Sequence, residues 1–224
     1  MQIFLDILEA VGVVSFAVAG AVAAIDREVD LFGVLFLSVV TAFGGGAMRD
    51  VMLGHTPTFF GAYLLMVLCI FSALAVFIAA AIFKSRYVRH EREVERVNNY
   101  FDALGLGIFS VMGAEICVST GRCTALAVIT LGMITGIGGG IIRDICLREI
   151  PFVLKKRVYA VASLLGTSLY YVLLCLTPLP RYVPIMLGIL TVFGVRMLAT
   201  ALKLDIPKAI IFDKAEAEKE PSFK

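Results

Sequence analysis

Seven stretches of this chain, at about residues 7–25, 31–53, 60–83, 100–120, 124–147, 158–176 and 182–202, are nearly continuous apolar runs. Each is close to the ~20 residues an α-helix needs to cross a bilayer. In hydrocarbon a spanning segment must satisfy its own backbone hydrogen bonds, which a single α-helix does. The expected fold is therefore an all-α membrane protein with seven transmembrane helices. Hydrophobic residues make up 60% of the 224 and charged residues 17%, a balance foreign to soluble domains of this length. The runs leave no room for a separate soluble domain, so residues 1–205 read as one transmembrane domain and 205–224 as a charged tail.

The N-terminal run resembles a signal peptide, but Asp6 and Glu9 stand where a positive n-region belongs, and the first basic residue is Arg27. It is expected to be a mature first helix. Cys69, Cys117, Cys123, Cys146 and Cys175 are an odd, dispersed set that reads as small core residues and not as a disulfide framework. His55 and His90 have no metal-ligand spacing, and no cofactor, metal or nucleic-acid partner is expected.

Orientation follows from basic residues in short loops. With the N-terminus outside, Arg27, five residues between Lys84 and Arg96, four between Arg148 and Arg157, and five tail lysines face the cytoplasm, fifteen in all. Only Arg122 and Arg181 fall outside; Arg49, Arg143 and Arg196 lie within spans. The chain is thus expected in the cell (inner) membrane with its C-terminus cytoplasmic. The segment Lys84–Asn99 reads as a solvated connector or helix extension, or as a basic surface touching anionic lipid headgroups, diluted by Glu91, Glu93 and Glu95.

The chain repeats itself. "TAFGGGAMRDVMLGHTP" from Thr41 is answered by "TGIGGGIIRDICLREIP" from Thr135, an offset of 94 with eight of seventeen positions identical. Upstream, Glu9, Gly12, Phe16 and Gly20 match Asp102, Gly105, Phe109 and Gly113 at an offset of 93. Repeat one covers residues 1–83, a connector 84–98, repeat two 99–177, and a seventh helix 182–204. Three spans per repeat is an odd number, so the second copy must enter the membrane from the opposite side. Such inverted repeats occur in transport proteins whose site lies near the midplane, and a pair of glycine-interrupted spans points to it.

Gly44, Gly45 and Gly46, and Gly138, Gly139 and Gly140, are each expected to kink or unwind their helix, exposing carbonyls suited to a dehydrating cation. Close helix packing through small residues is the competing and compatible reading. Arg49 and Asp50, like Arg143 and Asp144, are sequence neighbours whose side chains leave a helix about 100° apart, so each is expected to find its partner elsewhere. The candidates are cross-repeat pairs, Arg49 with Asp144 and Arg143 with Asp50, or the matched acids Glu9 and Asp102. Charges in a span are functional suspects, though both arginines could instead snorkel to an interface. Glu115 and Arg122 share a helix face and form either a mouth or an interfacial pair; Arg196 reads as a snorkelling inner-leaflet residue. No Walker, zincin or nucleophile-elbow motif occurs, and "GGGAMRD" has Arg49 where a dinucleotide loop needs its third glycine, so an enzyme is not expected.

The twin G-G-G-x-x-R-D signature within two three-helix repeats plus a seventh helix resembles the prokaryotic branch of the trimeric intracellular cation (TRIC) channel family, over residues 1 to about 205. That resemblance implies a homotrimer in which each protomer carries its own pore, lined by helices 2 and 5 and conducting monovalent cations, chiefly potassium. The matching pathway positions are the two glycine triplets with Arg49, Asp50, Arg143 and Asp144. Glu9 departs from the aspartate that usually opens the first repeat, with Asp6 close by. Related bacterial proteins with these repeats are also described as glycine transporters. A potassium channel is therefore the first expectation and an alternating-access carrier of a small amino acid such as glycine the second; a non-transporting scaffold would leave the duplicated glycines unexplained.

Overall fold

A computed structural model describes residues 1–121, 124–155 and 158–202. Its elements are α1 (Gln2–Ile25), α2 (Leu31–Leu53), a 3-10 turn (Thr58–Phe60), α3 (Tyr63–Ile82), α4 (Lys84–Arg89), α5 (Glu91–Ser119), α6 (Ala125–Cys146), α7 (Phe152–Lys155), α8 (Val158–Leu176) and α9 (Tyr182–Ala201). Seven of them, α1, α2, α3, α5, α6, α8 and α9, are long and apolar enough to cross a membrane. The expected spans correspond to these seven. The largest difference is α5, which begins nine residues before the expected span and takes up half of the charged connector. At 1.5 Å per residue its 29 residues measure about 43 Å, more than a hydrocarbon core, so its polar first turns project beyond the apolar layer. Arg122, Cys123, Lys156, Arg157 and the tail from Lys203 lie outside the described residues.

The two halves are built with the same local devices. Asp30 caps α2 by accepting from the Gly33 N–H at 2.8 Å, and Thr124, its mate at the same offset, caps α6 by accepting from Ala127 at 3.2 Å. At the other ends, Gly54 (φ 75°) and its mate Arg148 (φ 58°) both adopt the left-handed conformation. The following N–H, of His55 or Glu149, bonds back to the carbonyl of Asp50 or Asp144 at 2.8 Å. The short elements after them start at equivalent residues, Thr58 and Phe152.

Reciprocal packing joins the halves. A Cβ on Gly12 would lie 3.1 Å from the Phe109 ring and one on Gly105 2.3 Å from the Phe16 ring, while the two rings touch with centroids 5.2 Å apart. Where α2 crosses α6, a Cβ on Gly45 would lie 2.1 Å from the Thr135 carbonyl oxygen and one on Gly139 2.0 Å from that of Thr41. Each contact has its repeat-related twin.

This corrects one expectation. The unwinding half of the glycine expectation fails: both helices keep their α-helical assignment through the triplets, with no unwound segment. Without water to compete for them, the helical hydrogen bonds are worth keeping even where glycine is a weak helix former, and the missing side chains serve close approach instead. Thr41 and Thr135 likewise turn their hydroxyls onto their own helices, bonding Leu37 and Leu131 carbonyls at 2.6 Å.

The seventh helix breaks the symmetry. α3 packs directly on α1 and α2, whereas α9 packs against both α5 and α8. Glycines let it in: a Cβ on Gly107 of α5 would lie 3.0 Å from the Ile189 carbonyl, and one on Gly166 of α8 2.8 Å from that of Gly188. Of the cysteines, Cys69 and Cys117 are buried as expected, but Cys146 and Cys175 are exposed.

Candidate polar site at the ends of α2 and α6

Arg49 does not reach across the repeats. Its Nε donates to Asp50 Oδ1 at 2.8 Å and a terminal nitrogen lies 2.6 Å from the same oxygen. The second carboxylate oxygen accepts from the Thr58 N–H at 2.8 Å and the Thr58 hydroxyl at 2.9 Å. The second repeat copies this: Arg143 Nε donates to Asp144 Oδ1 at 2.9 Å, and Asp144 Oδ2 accepts from the Phe152 N–H at 2.7 Å. Among the described residues no ion pair joins Arg49 to Asp144 or Arg143 to Asp50, so the cross-repeat pairing is not formed. The 100° divergence describes where side chains leave the helix, and the long arginine chain folds back across it. Each Arg-Asp dipeptide is a clamp that ties the end of its helix to the short element that follows. Nor do these arginines snorkel; both are buried.

The glycines divide into two kinds. Gly44 and Gly45, with Gly138 and Gly139, make the helix crossing, where Gly44 also meets Ile142 and Gly138 meets Met48. Gly46 and Gly140 instead leave space before their own arginines, whose terminal nitrogens would lie 3.7 and 3.8 Å from an added Cβ.

The matched acids behave differently. Asp102 Oδ1 stands 3.6 Å from Arg143 and 3.5 Å from the Tyr159 hydroxyl. Glu9 lies close enough to feel the Arg49 charge, but the two form no ion pair among the described residues. Asp6 is exposed and accepts from the Gln2 amide at 2.8 Å.

Arg196, expected to snorkel, is 2% exposed. It lies over the rings of Tyr159 and Phe152, 4.7 and 5.3 Å from their centroids, with one terminal nitrogen 3.1 Å from Asn99 Oδ1 and 3.8 Å from Asp102 Oδ2. Two adjoining clefts of about 170 and 160 Å³ open beside this cluster, both lined by Asn98, Arg143 and Phe152. Each has room for several waters. Sequence reasoning placed Arg143, Asp144 and Asp102 here but missed Arg196, Tyr159 and Asn99; an arginine in an apolar span was the available signal.

Glu115 is also buried and takes partners other than the expected Arg122, which lies outside the described residues. One oxygen accepts from the Tyr170 hydroxyl and the other pairs with Arg181 at 2.8 Å. Among the described residues no group of three or more His, Cys, Asp or Glu is arranged to hold a metal.

A family model described as glycine transporter matches residues 6–81 and again 99–174, the two repeats. A UPF0126 membrane protein of Deinococcus radiodurans is 39% identical over 74% of this chain and 74% of its own length. The UPF0126 inner membrane protein YadS of Escherichia coli K12 is 33% identical over 89% of this chain and 93% of its own. Among solved structures, a prokaryotic TRIC channel in 0.5 M KCl superposes with a TM-score of 0.83 at 28% identity, covering 92% of this chain and all of the other. The TRIC orthologue of Rhodobacter sphaeroides gives 0.79 at 32% identity, covering 90% and 99%.

Proposed function

The chain belongs to the glycine-transporter family of membrane proteins, and from that premise we propose that it is a channel for monovalent cations, chiefly potassium. The observation that carries the proposal is the repeated site: a glycine crossing and an Arg-Asp clamp at equivalent points of two halves, in a fold shared with TRIC cation channels. The pathway in each protomer runs along α2 and α6, past Gly44, Gly45, Gly46, Arg49 and Asp50 and their mates Gly138, Gly139, Gly140, Arg143 and Asp144. Because the crossing is tight and helical, cations are not passed along unwound carbonyls there. The polar surface available to them is the space before each arginine, left by Gly46 and Gly140, together with Glu9 and Asp102.

Seven apolar helices make this a multi-pass membrane protein. The repeats are inverted across the cell (inner) membrane, the N-terminus is outside, and three copies assemble, each with its own pore. The fifteen-to-two excess of basic residues supports that orientation. On it, the clefts beside Arg143 open to the cytoplasm.

Purified protein in planar bilayers tests the reading. Unitary potassium currents are expected; saturable glycine counterflow without currents would overturn the channel in favour of a carrier.

A further inference from the structure

Arg196 is an odd residue to hold a helix in place. A guanidinium has five N–H donors, and in a buried structural role they are normally satisfied. Here one acceptor, Asn99 Oδ1, is within hydrogen-bond distance, and the buried Nε has no partner. The remaining contacts are the faces of Tyr159 and Phe152 and the distant Asp102 carboxylate. Asp102 is held as loosely, with its three contacts at 3.5, 3.6 and 3.8 Å, in contrast to the 2.8 Å clamp between Arg143 and Asp144. Charge and ring faces hold this pair together, and geometry hardly does.

Those are also the features that receive a mobile cation: a carboxylate without close donors and two aromatic faces. The cleft of about 160 Å³ is lined by Asn99, Asp102 and Phe152 and so leads to the same spot. The first repeat has no equivalent, because Glu9, Thr58 and Leu65 stand where the second has Asp102, Phe152 and Tyr159, and among the described residues no eighth spanning helix supplies an arginine.

We propose that Arg196 is a tethered cation, seated by the seventh helix beside Asp102 in the place a permeating cation would take, so that it obstructs the cleft-side end of the pathway. The proposal rests on the channel reading above.

Potassium currents of the full-length protein in planar bilayers test it, comparing wild type with R196M, R196K and F152A. R196M removes the charge at similar volume and is expected to raise mean current about fivefold or more, equivalent to ~1 kcal/mol of obstruction. R196K keeps the charge and is expected to stay near wild type. F152A keeps the arginine but removes one ring of its seat and is expected to fall between. Unchanged or smaller current in an R196M protein that elutes as wild type does, or equal currents from R196K and R196M, would overturn the proposal while leaving the channel reading intact. If R196M does not fold, F152A decides: a rise supports the plug, no change overturns it. Silence from wild type and all variants removes the channel reading, and the plug with it.

Discussion

Replacing Gly139 by alanine puts a methyl group where there is no space. The new Cβ would lie 2.0 Å from the Thr41 carbonyl oxygen and 2.9 Å from its carbon, both backbone atoms that cannot rotate away. Ordinary contact begins near 3.4 Å, so the two groups must part by about 1.4 Å, and overpacking of this kind costs roughly 1–3 kcal/mol. Alanine recovers ~1 kcal/mol of helix propensity, leaving a net loss of up to about 2 kcal/mol. G46A is the control. Its Cβ would meet nothing closer than an Arg49 nitrogen at 3.7 Å, so it keeps the propensity gain without the clash. For a chain of this size 1 kcal/mol moves Tm by roughly 2–4 °C. Thermal unfolding of the detergent-solubilised protein should therefore show G139A lower by several degrees and G46A unchanged or higher. G45A should match G139A, because its Cβ would lie 2.1 Å from the Thr135 oxygen. The double variant should cost less than the sum, since helices already parted by one methyl admit the second. If G139A is as stable as G46A, the glycines do not set the crossing and the packing argument is wrong.

Two further substitutions read the clamps and the buried acid. T58V removes one of two bonds to Asp50 Oδ2 and should cost about 0.5–1.5 kcal/mol. D50N leaves Arg49, whose side chain is 6% exposed, without its carboxylate and should cost ~3 kcal/mol or more in denaturant titration; equal costs would mean the ion pair contributes nothing. At the other acid, R181A should lose no more than about 1 kcal/mol because Arg181 is 44% exposed. E115A should cost about 1–3 kcal/mol beyond that by stranding the buried Tyr170 hydroxyl, and the reverse order would refute the assignment.

Much of the fold was legible because lipid restricts the backbone so severely. The spans and the repeat are both written in local residue types. The matches of Gly12 with Gly105 and Phe16 with Phe109 carried more than the sequence alone reveals, since the structure makes each glycine the seat of the other half's ring. What failed was reasoning that stopped at one helix. Glycine propensity predicted a break in α2, but the neighbouring helix decides what glycine does there. The angle between Arg49 and Asp50 predicted separation, but it neglected the length of the arginine chain. Arg196 was measured against the end of its own helix, whereas its surroundings come from α5, α7 and α8.

The left-handed turns at Gly54 and Arg148 bear on how two copies of one design grow apart. The position favours glycine, and an ordinary residue there gives up roughly 1–2 kcal/mol. Arginine nevertheless stands in the second copy with a left-handed φ and the same hydrogen bond closing the turn. The shape is thus inherited through bonding that outlasts the residue best suited to it. Substitution in one copy can then proceed without redrawing the path of the chain, and each half is free to acquire its own chemistry on an unchanged frame.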